Sequence, residues 1–166
     1  MASINDLGKL RQLIGLYLSN NGQVISEGTL GNLANIETLE LKLTTMTCLP
    51  HDITNMATLR KFSLTCSNVV EMGSNFCQFQ YLTRLRLNSC SNLEEVPHLH
   101  DLKNLRQLDI LNCFKIKTIP KEFGGRFSLV GLRRLKKWPM LEEGAMLSLK
   151  ALTLMNCEVL KGSPKS

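Results

Sequence analysis

Apolar residues recur along this chain with a period of 23. Leu13, Ile36, Leu59, Leu82 and Leu105 form one column, Leu16, Leu39, Phe62, Leu85 and Leu108 a second, and Leu18, Leu41, Leu64, Leu87 and Ile110 a third, each stepping by 23 residues. The second and third columns lie two residues apart, so both side chains leave an extended strand on the same side. The first column, three residues earlier, fills the bend into that strand. Two further columns keep the period: Leu7, Leu30, Ile53, Phe76 and Leu99, and Leu10, Leu33, Met56, Phe79 and Leu102. Together with the next strand's first apolar residue they make an i, i+3, i+6 stripe, which predicts a short helix or 3-10 turn in each return segment. No single unit can bury its apolar side alone. Stacking the units, with parallel strands about 4.8 Å apart, buries all of them.

A recurring L-x-x-L-x-L at this period defines a leucine-rich repeat. The predicted fold is therefore α/β: a leucine-rich repeat solenoid, curved like a horseshoe, with an inner parallel β-sheet and short helices, 3-10 turns or loops on the convex side. Seven units can be written out. Position nine, where the chain turns away from the sheet, holds Asn21, Thr44, Ser67, Cys90, Cys113 and Cys157 in the six regular units. A small polar side chain there can bond the turn backbone, and a thiol can fill a narrow space. Later apolar positions are Leu49, Val70, Leu93 and Val96, Ile116 and Ile119, and Leu160, and Pro50, Pro97 and Pro120 end strand pairing and begin the return. The sixth unit is degraded: the step from Leu105 to Leu129 is 24, and from Leu129 to Leu149 only 20. Gly124, Gly125 and Gly131 loosen it, and either Leu129/Leu132 or Leu132/Leu135 opens its strand, so the register over 118–148 is irregular. Trp138 is expected to fill this turn. Residues 1–166 read as one domain of about seven repeats. The apolar pattern is already running at Leu7 and breaks off after Leu160 without a polar cap, so the chain is expected to be a fragment of a longer protein.

Composition adds limits. The chain is 43% hydrophobic but only 5% aromatic, so leucine supplies the core. Twenty basic against 14 acidic residues leave a net charge of +6, which favours acidic partners weakly and does not imply specific nucleic-acid binding. Cys48, Cys66, Cys77, Cys90, Cys113 and Cys157 contain no C-x-x-C pair and so lack the spacing of a structural zinc site. Free thiols in such number, no N-x-Ser/Thr acceptor, no signal peptide and no apolar run of membrane-spanning length together predict a cytoplasmic protein without a membrane segment. His51, His98 and His100 fall in return segments, away from any nucleophile or paired carboxylate, and Glu94, Glu95, Glu142 and Glu143 read as solvated turn charges. No catalytic constellation, metal site or cofactor is expected.

The unit endings Cys90-Ser-Asn-Leu93-Glu-Glu-Val96-Pro97 and Cys113-Phe-Lys-Ile116-Lys-Thr-Ile119-Pro120 are similar to repeats of plant intracellular disease-resistance proteins of the nucleotide-binding, leucine-rich repeat class. Glu143-Gly144-Ala145-Met146 and Leu152-Thr-Leu154-Met-Asn156-Cys157 resemble a late repeat of the coiled-coil subgroup, except that Leu147 stands where a proline usually follows. The resemblance covers essentially the whole chain. It implies a sensor and self-inhibitory repeat region in defence, facing either a pathogen-derived or host protein or the nucleotide-binding domain of a full-length receptor. No phosphate-binding G-x-x-x-x-G-K-[ST] loop is present in these residues. The alternative is a substrate receptor of a ubiquitin ligase or another leucine-rich repeat scaffold, although such repeats usually run longer than the period seen here.

Binding has a natural place: the strand residues that alternate with the buried leucines and point to the concave face. Their middle column is Tyr17, Glu40, Ser63, Arg86, Asp109, Arg133 and Thr153. The column before it is Gly15, Thr38, Lys61, Arg84, Gln107, Gly131 and Ala151, and the column after it contains Ser19, Lys42, Thr65, Asn88, Leu111 and Met155. Tyr17, Glu40, Lys61, Ser63, Arg84, Arg86, Asp109 and Arg133 are the candidate protein-binding residues. Lys61, Arg84 and Arg86 should lie together, with Arg106 one position off, and Arg133, Arg134, Lys136 and Lys137 make a second basic run. Such a patch docks carboxylates, arginine bidentately. The competing reading is a solvated face with ordinary cross-strand pairs to Glu40 and Asp109.

Overall fold

A computed structural model describes residues 4–19, 25, 28–42, 45–73, 76, 78–99, 101–120, 125–135 and 149–157. Asn21, Thr44, Cys77, His100, Gly124, Lys136, Lys137, Trp138, Glu142, Glu143, the Gly144-Ala145-Met146-Leu147 stretch and Leu160 lie outside these residues. Among the described residues seven strands, β1 (Gly15–Ser19), β2 (Thr38–Lys42), β3 (Lys61–Thr65), β4 (Arg84–Asn88), β5 (Gln107–Leu111), β6 (Arg126–Val130) and β7 (Ala151–Met155), form one parallel sheet in sequential order. The fold is the expected leucine-rich repeat solenoid, a parallel sheet of stacked coils whose described return segments hold 3-10 turns. Through β5 every residue pairs with the residue 23 later, as Leu16 with Leu39, Leu39 with Phe62, Phe62 with Leu85 and Leu85 with Leu108.

The alternation within each strand sends one side chain inward and the next outward. Leu39, Leu41, Phe62, Leu64, Leu85, Leu87, Leu108, Ile110, Phe127 and Leu129 are all essentially inaccessible to solvent. In the first and last strands Leu18, Leu152 and Leu154 are only half-buried, because among the described residues a coil covers them on one side alone. The return segments carry the predicted threefold stripe. Leu33 N–H bonds Leu30 O and Ile36 N–H bonds Leu33 O, at 3.0 and 3.2 Å; Leu102 N–H and Leu105 N–H repeat the pattern onto Leu99 O and Leu102 O, at 3.0 and 2.9 Å. One apolar residue in three is the spacing that successive i→i+3 bonds place on one face. His51–Asn55 closes into a 3-10 turn after Pro50, and Ile4–Lys9 into another. In the third coil the leucines of this layer are replaced by phenylalanines: Phe76 meets Phe79 edge-on at 5.0 Å between centroids and Phe62 at 5.8 Å.

The turn after each strand explains the cysteines. Cys90, Cys113 and Cys157 are buried, and each Sγ lies 3.6–3.7 Å from the carbonyl of the last inward residue of the preceding coil: Leu64, Leu87 and Leu129. The thiol is small enough to enter between coils and weakly donates to a carbonyl there. Hydrogen bonding with Cys90, reinforced by burial, holds the Cys113 thiol well above the ordinary thiol range. The residue before each of these cysteines (Ser89, Asn112, Asn156) adopts a positive φ of 52–55°. The N–H groups of Ser89 and Asn112 extend the ladder by bonding Leu111 O and Val130 O of the next coil, at 2.8 and 2.7 Å.

Two expectations are corrected here. In the third unit Cys66 and Val69 are buried at 1% and 0%, rather than Ser67 and Val70, and Val70 is 53% exposed. This coil omits the left-handed residue, so its buried cysteine comes one position early and its Sγ reaches Met46 O at 3.1 Å. The omitted residue is recovered in the return, where Gly73 takes a φ of +82°. The sixth unit opens with neither Leu129/Leu132 nor Leu132/Leu135. Its inward pair is Phe127 and Leu129, stacked on Leu108 and Ile110. Gly131, with φ +68°, is the left-handed turn residue and bonds Met155 O at 2.8 Å, while Leu132 and Leu135 fill the places that Cys113 and Ile116 hold in the coil before. The irregularity therefore lies in the connecting segments: Leu108 stacks on Phe127 after a step of 19, and Phe127 on Leu152 after 25.

The shifted third coil makes Val69→Ala and Val70→Ala a test of register. Removing the buried Val69 methyls should lower unfolding free energy by about 2 kcal/mol, whereas Val70→Ala stays within about 0.5 kcal/mol, in urea denaturation. Gly131→Ala should cost about 1–2 kcal/mol from its left-handed backbone, in addition to crowding Asn112, whose Oδ1 would lie 2.7 Å from the new Cβ.

Candidate protein-binding face

The outward residues of the seven strands form three columns on the open side of the sheet. The first runs Gly15, Thr38, Lys61, Arg84, Gln107, Arg126, Ala151 and the second Tyr17, Glu40, Ser63, Arg86, Asp109, Ser128, Thr153. The third runs Ser19, Lys42, Thr65, Asn88, Leu111, Val130, Met155. The structure thus places seven of the eight predicted residues on this face. Arg133 is the exception, and Gly131 leaves the face with it, because both follow β6 rather than belong to it. Arg133 is exposed and stacks its guanidinium 4.8 Å from the centroid of Phe114, the equivalent turn residue of the coil before, a cation–π contact beside the sheet. The sixth-strand members are instead Arg126 and Ser128. Arg126 was missed because Phe127 in place of leucine hid the F-x-L strand; the Gly131-Leu132-x-x-Leu135 ending behind it carried the signal.

Charge on the face is unevenly balanced. Asp109 is only 4% exposed, and its Oδ2 accepts from Arg86 Nε and Nη2 at 3.2 and 3.1 Å. Gln107 Nε2 donates to both carboxylate oxygens at 3.1 and 3.0 Å. Arg86 is therefore neutralised by a desolvated carboxylate. Lys61 and Arg84 are direct register partners on β3 and β4, both exposed, and among the described residues neither has an ion pair. Glu40, on β2, likewise has none. Tyr17 presents its ring to solvent with 67% exposure. Tyr17, Glu40, Lys61, Ser63, Arg84 and Arg86 line one shallow depression of about 130 Å³. That is well below the several hundred Å³ of a site that encloses a small molecule, and its size suits a side chain presented by a larger surface.

Two ion pairs elsewhere obey the coil step, while Lys9–Asp6 is a local pair three residues apart. Arg60–Glu37 and Lys117–Glu94 each join residues 23 apart in sequence, as Arg86–Asp109 does. The Lys117 ammonium, bonded to Glu94, holds that carboxyl below its ordinary range. Arg106 is exposed at the entry to β5 and its N–H bonds Thr83 O, so it flanks the face without joining it. His51 and His98 are exposed, and among the described residues no group of histidine, cysteine and carboxylate side chains could hold a metal ion. Among those residues no helix is long and apolar enough to cross a membrane.

A seven-coil parallel stack with an outward face free of core duty is a leucine-rich repeat interaction module. Its backbone is similar to that of an internalin from Listeria monocytogenes, with a TM-score of 0.54 and 17% identity over 94% of this chain and 52% of that one, a likeness of fold. No protein-family model matches the chain. In sequence it is similar to plant disease-resistance proteins. It is 29% identical over 160 residues to the Arabidopsis thaliana protein Suppressor of npr1-1, constitutive 1, covering 92% of this chain and 11% of that protein. Two further Arabidopsis proteins named as disease resistance proteins are each 27% identical, over 98% and 73% of this chain and 14% and 10% of their own length. The chain thus spans between about a tenth and a seventh of the length of these relatives. The chain is thus a leucine-rich repeat stack similar in sequence to plant disease-resistance proteins.

The clamp on Asp109 separates two neighbouring arginines. Arg86→Ala leaves a buried carboxylate without its cation and should cost about 2 kcal/mol, the full penalty of a broken buried pair being moderated by the half-exposed guanidinium. Arg84→Ala should stay within about 0.5 kcal/mol. Equilibrium unfolding of both variants checks the difference.

Proposed function

We propose that this chain is the recognition segment of a longer plant defence receptor of the nucleotide-binding, leucine-rich repeat class, coiled-coil type, and that its open face binds an acidic protein surface. The observation that carries this reading is the Lys61–Arg84 pair: two cations directly opposite each other on adjacent strands, exposed and, among the described residues, without an ion pair. Like charges so placed weaken a sheet, and a bridging carboxylate from a partner converts that repulsion into two charge-assisted hydrogen bonds. The acidic surface belongs either to a foreign or host protein or to a neighbouring domain of the same polypeptide. In the second case the face restrains the receptor until a better acidic partner displaces that domain. The segment acts by binding and not by catalysis, and it works inside the cell, where the five free cysteines among the described residues stay reduced. Two relatives over 98% and 73% of the chain are named as disease resistance proteins, which favours this reading over a ligase substrate receptor.

Lys61→Glu with Arg84→Glu is the direct probe, because neither residue supports the fold. In pull-downs from plant extract at low salt, proteins captured by the wild-type chain should be lost from the double variant, while its circular dichroism and melting curve stay unchanged. Recovery of the same proteins by both chains removes the acidic-surface reading.

A further inference from the structure

Three charged features stand on β2, β3 and β4, and the clamp on Arg86 decides how they sum. Arg86 gives its Nε and Nη2 to the buried Asp109, so the pair contributes no net charge to the depression beside it. What remains is a positive wall, Lys61 and Arg84, and a negative wall, Glu40, with the Ser63 hydroxyl between them and the Tyr17 ring beyond Glu40. Lys61 and Glu40 lie diagonally on adjacent strands, with backbones about 7–8 Å apart, and they make no ion pair with each other. Both poles are therefore open to an external partner.

Resting on the recognition reading above, we infer that this depression is a dipolar site: it takes an extended peptide segment that carries an acidic and a basic side chain two positions apart. In an extended segment, side chains on one face repeat every ~7 Å, which matches the diagonal between Lys61 and Glu40. The acidic side chain lies between Lys61 and Arg84, where the strands' spacing of about 4.8 Å lets one carboxylate meet both cations. The basic side chain reaches Glu40 and passes its charge over the exposed face of Tyr17, a cation–π contact that adds to the ion pair. Ser63 supplies a hydroxyl to the connecting backbone. A purely acidic segment satisfies the positive wall but sets its second carboxylate against Glu40, and a second carboxylate turned towards Arg86 competes with Asp109, whose burial opposes release of its cation.

The test uses the full chain, isotope-labelled, titrated by NMR with three end-blocked glycine-backbone peptides of five residues. One carries lysine and glutamate two positions apart, the second two glutamates, the third two lysines. The mixed peptide should shift the amides of residues 38–42, 61–65 and 84–88 and bind about five-fold more tightly than either like-charged peptide. Glu40→Gln should abolish that preference while leaving the fold intact, and Glu40→Lys should transfer it to the two-glutamate peptide. Equal or tighter binding of the two-glutamate peptide to the wild-type chain overturns the dipolar site and leaves the acidic-partner reading standing. Absence of any shift in these strands at millimolar peptide also overturns the dipolar site, while loss of protein capture by the Lys61 and Arg84 reversals remains the separate measure of the broader reading.

Discussion

Each coil of this molecule leaves its strand backbone unpaired until another coil lies beside it, and the parallel ladder between coils is the constraint from which the rest follows. The ladder reaches beyond the strands. Single carbonyls just before them accept two N–H groups from the next coil: Ile14 O from Glu37 and Thr38, Glu37 O from Arg60 and Lys61, Arg60 O from Thr83 and Arg84. Side chains extend the same contacts, as when Thr58 Oγ1 bonds Ile36 O and Asn104 Nδ2 bonds Gln80 O. An unpaired buried peptide group is costly, so a coil must match its neighbour's length at the strand and correct any difference in the return. The third coil does so, losing a residue before Cys66 and regaining it at Gly73.

The same constraint sets the chemistry of the face. Because like positions stack, sequence neighbours at the coil step become spatial neighbours, and the sign of each charge is met by whatever stands one step away. Arg86 meets Asp109 and is neutralised. Lys61 meets Arg84 and is not. A modest net charge thus becomes a local excess on β3 and β4, next to Glu40 on β2, which has no ion pair among the described residues. On the proposed reading, recognition depends on which rungs are left uncompensated and not on total charge. The turn cysteines serve the stack rather than chemistry, since four of the five free thiols among the described residues are buried between coils.

Much of this was legible in the chain because the period and the apolar columns report the stacking directly. The core columns of β1 to β5, the threefold stripe of the returns and the membership of seven face residues follow from spacing alone. Three features escaped for physical reasons. Phe127 satisfies a leucine position by volume but not by letter, so β6 was read several residues late and Arg133 was put on the face in place of Arg126. The third coil's shift was hidden because Ser67 and Val70 fit the period as well as Cys66 and Val69 do, and only the absent left-handed residue distinguishes them. The burial of Asp109 was also out of reach: a carboxylate on an outward column reads as solvated until the lengths of Arg86 and Gln107 close over it.

The central claim is that coil stacking, with β6 at Arg126–Val130, determines which residues face a partner. Residue-resolved amide hydrogen exchange across the fifth and sixth coils tests it most directly. Slow exchange is predicted within β6 and at Asn112 and Gly131, whose N–H groups bond Val130 O and Met155 O, with fast exchange at the exposed turn residues Arg133 and Arg134. Protection centred on residues 131–135 with an unprotected Arg126–Val130 would contradict the account and return Arg133 to the outward face of the sheet.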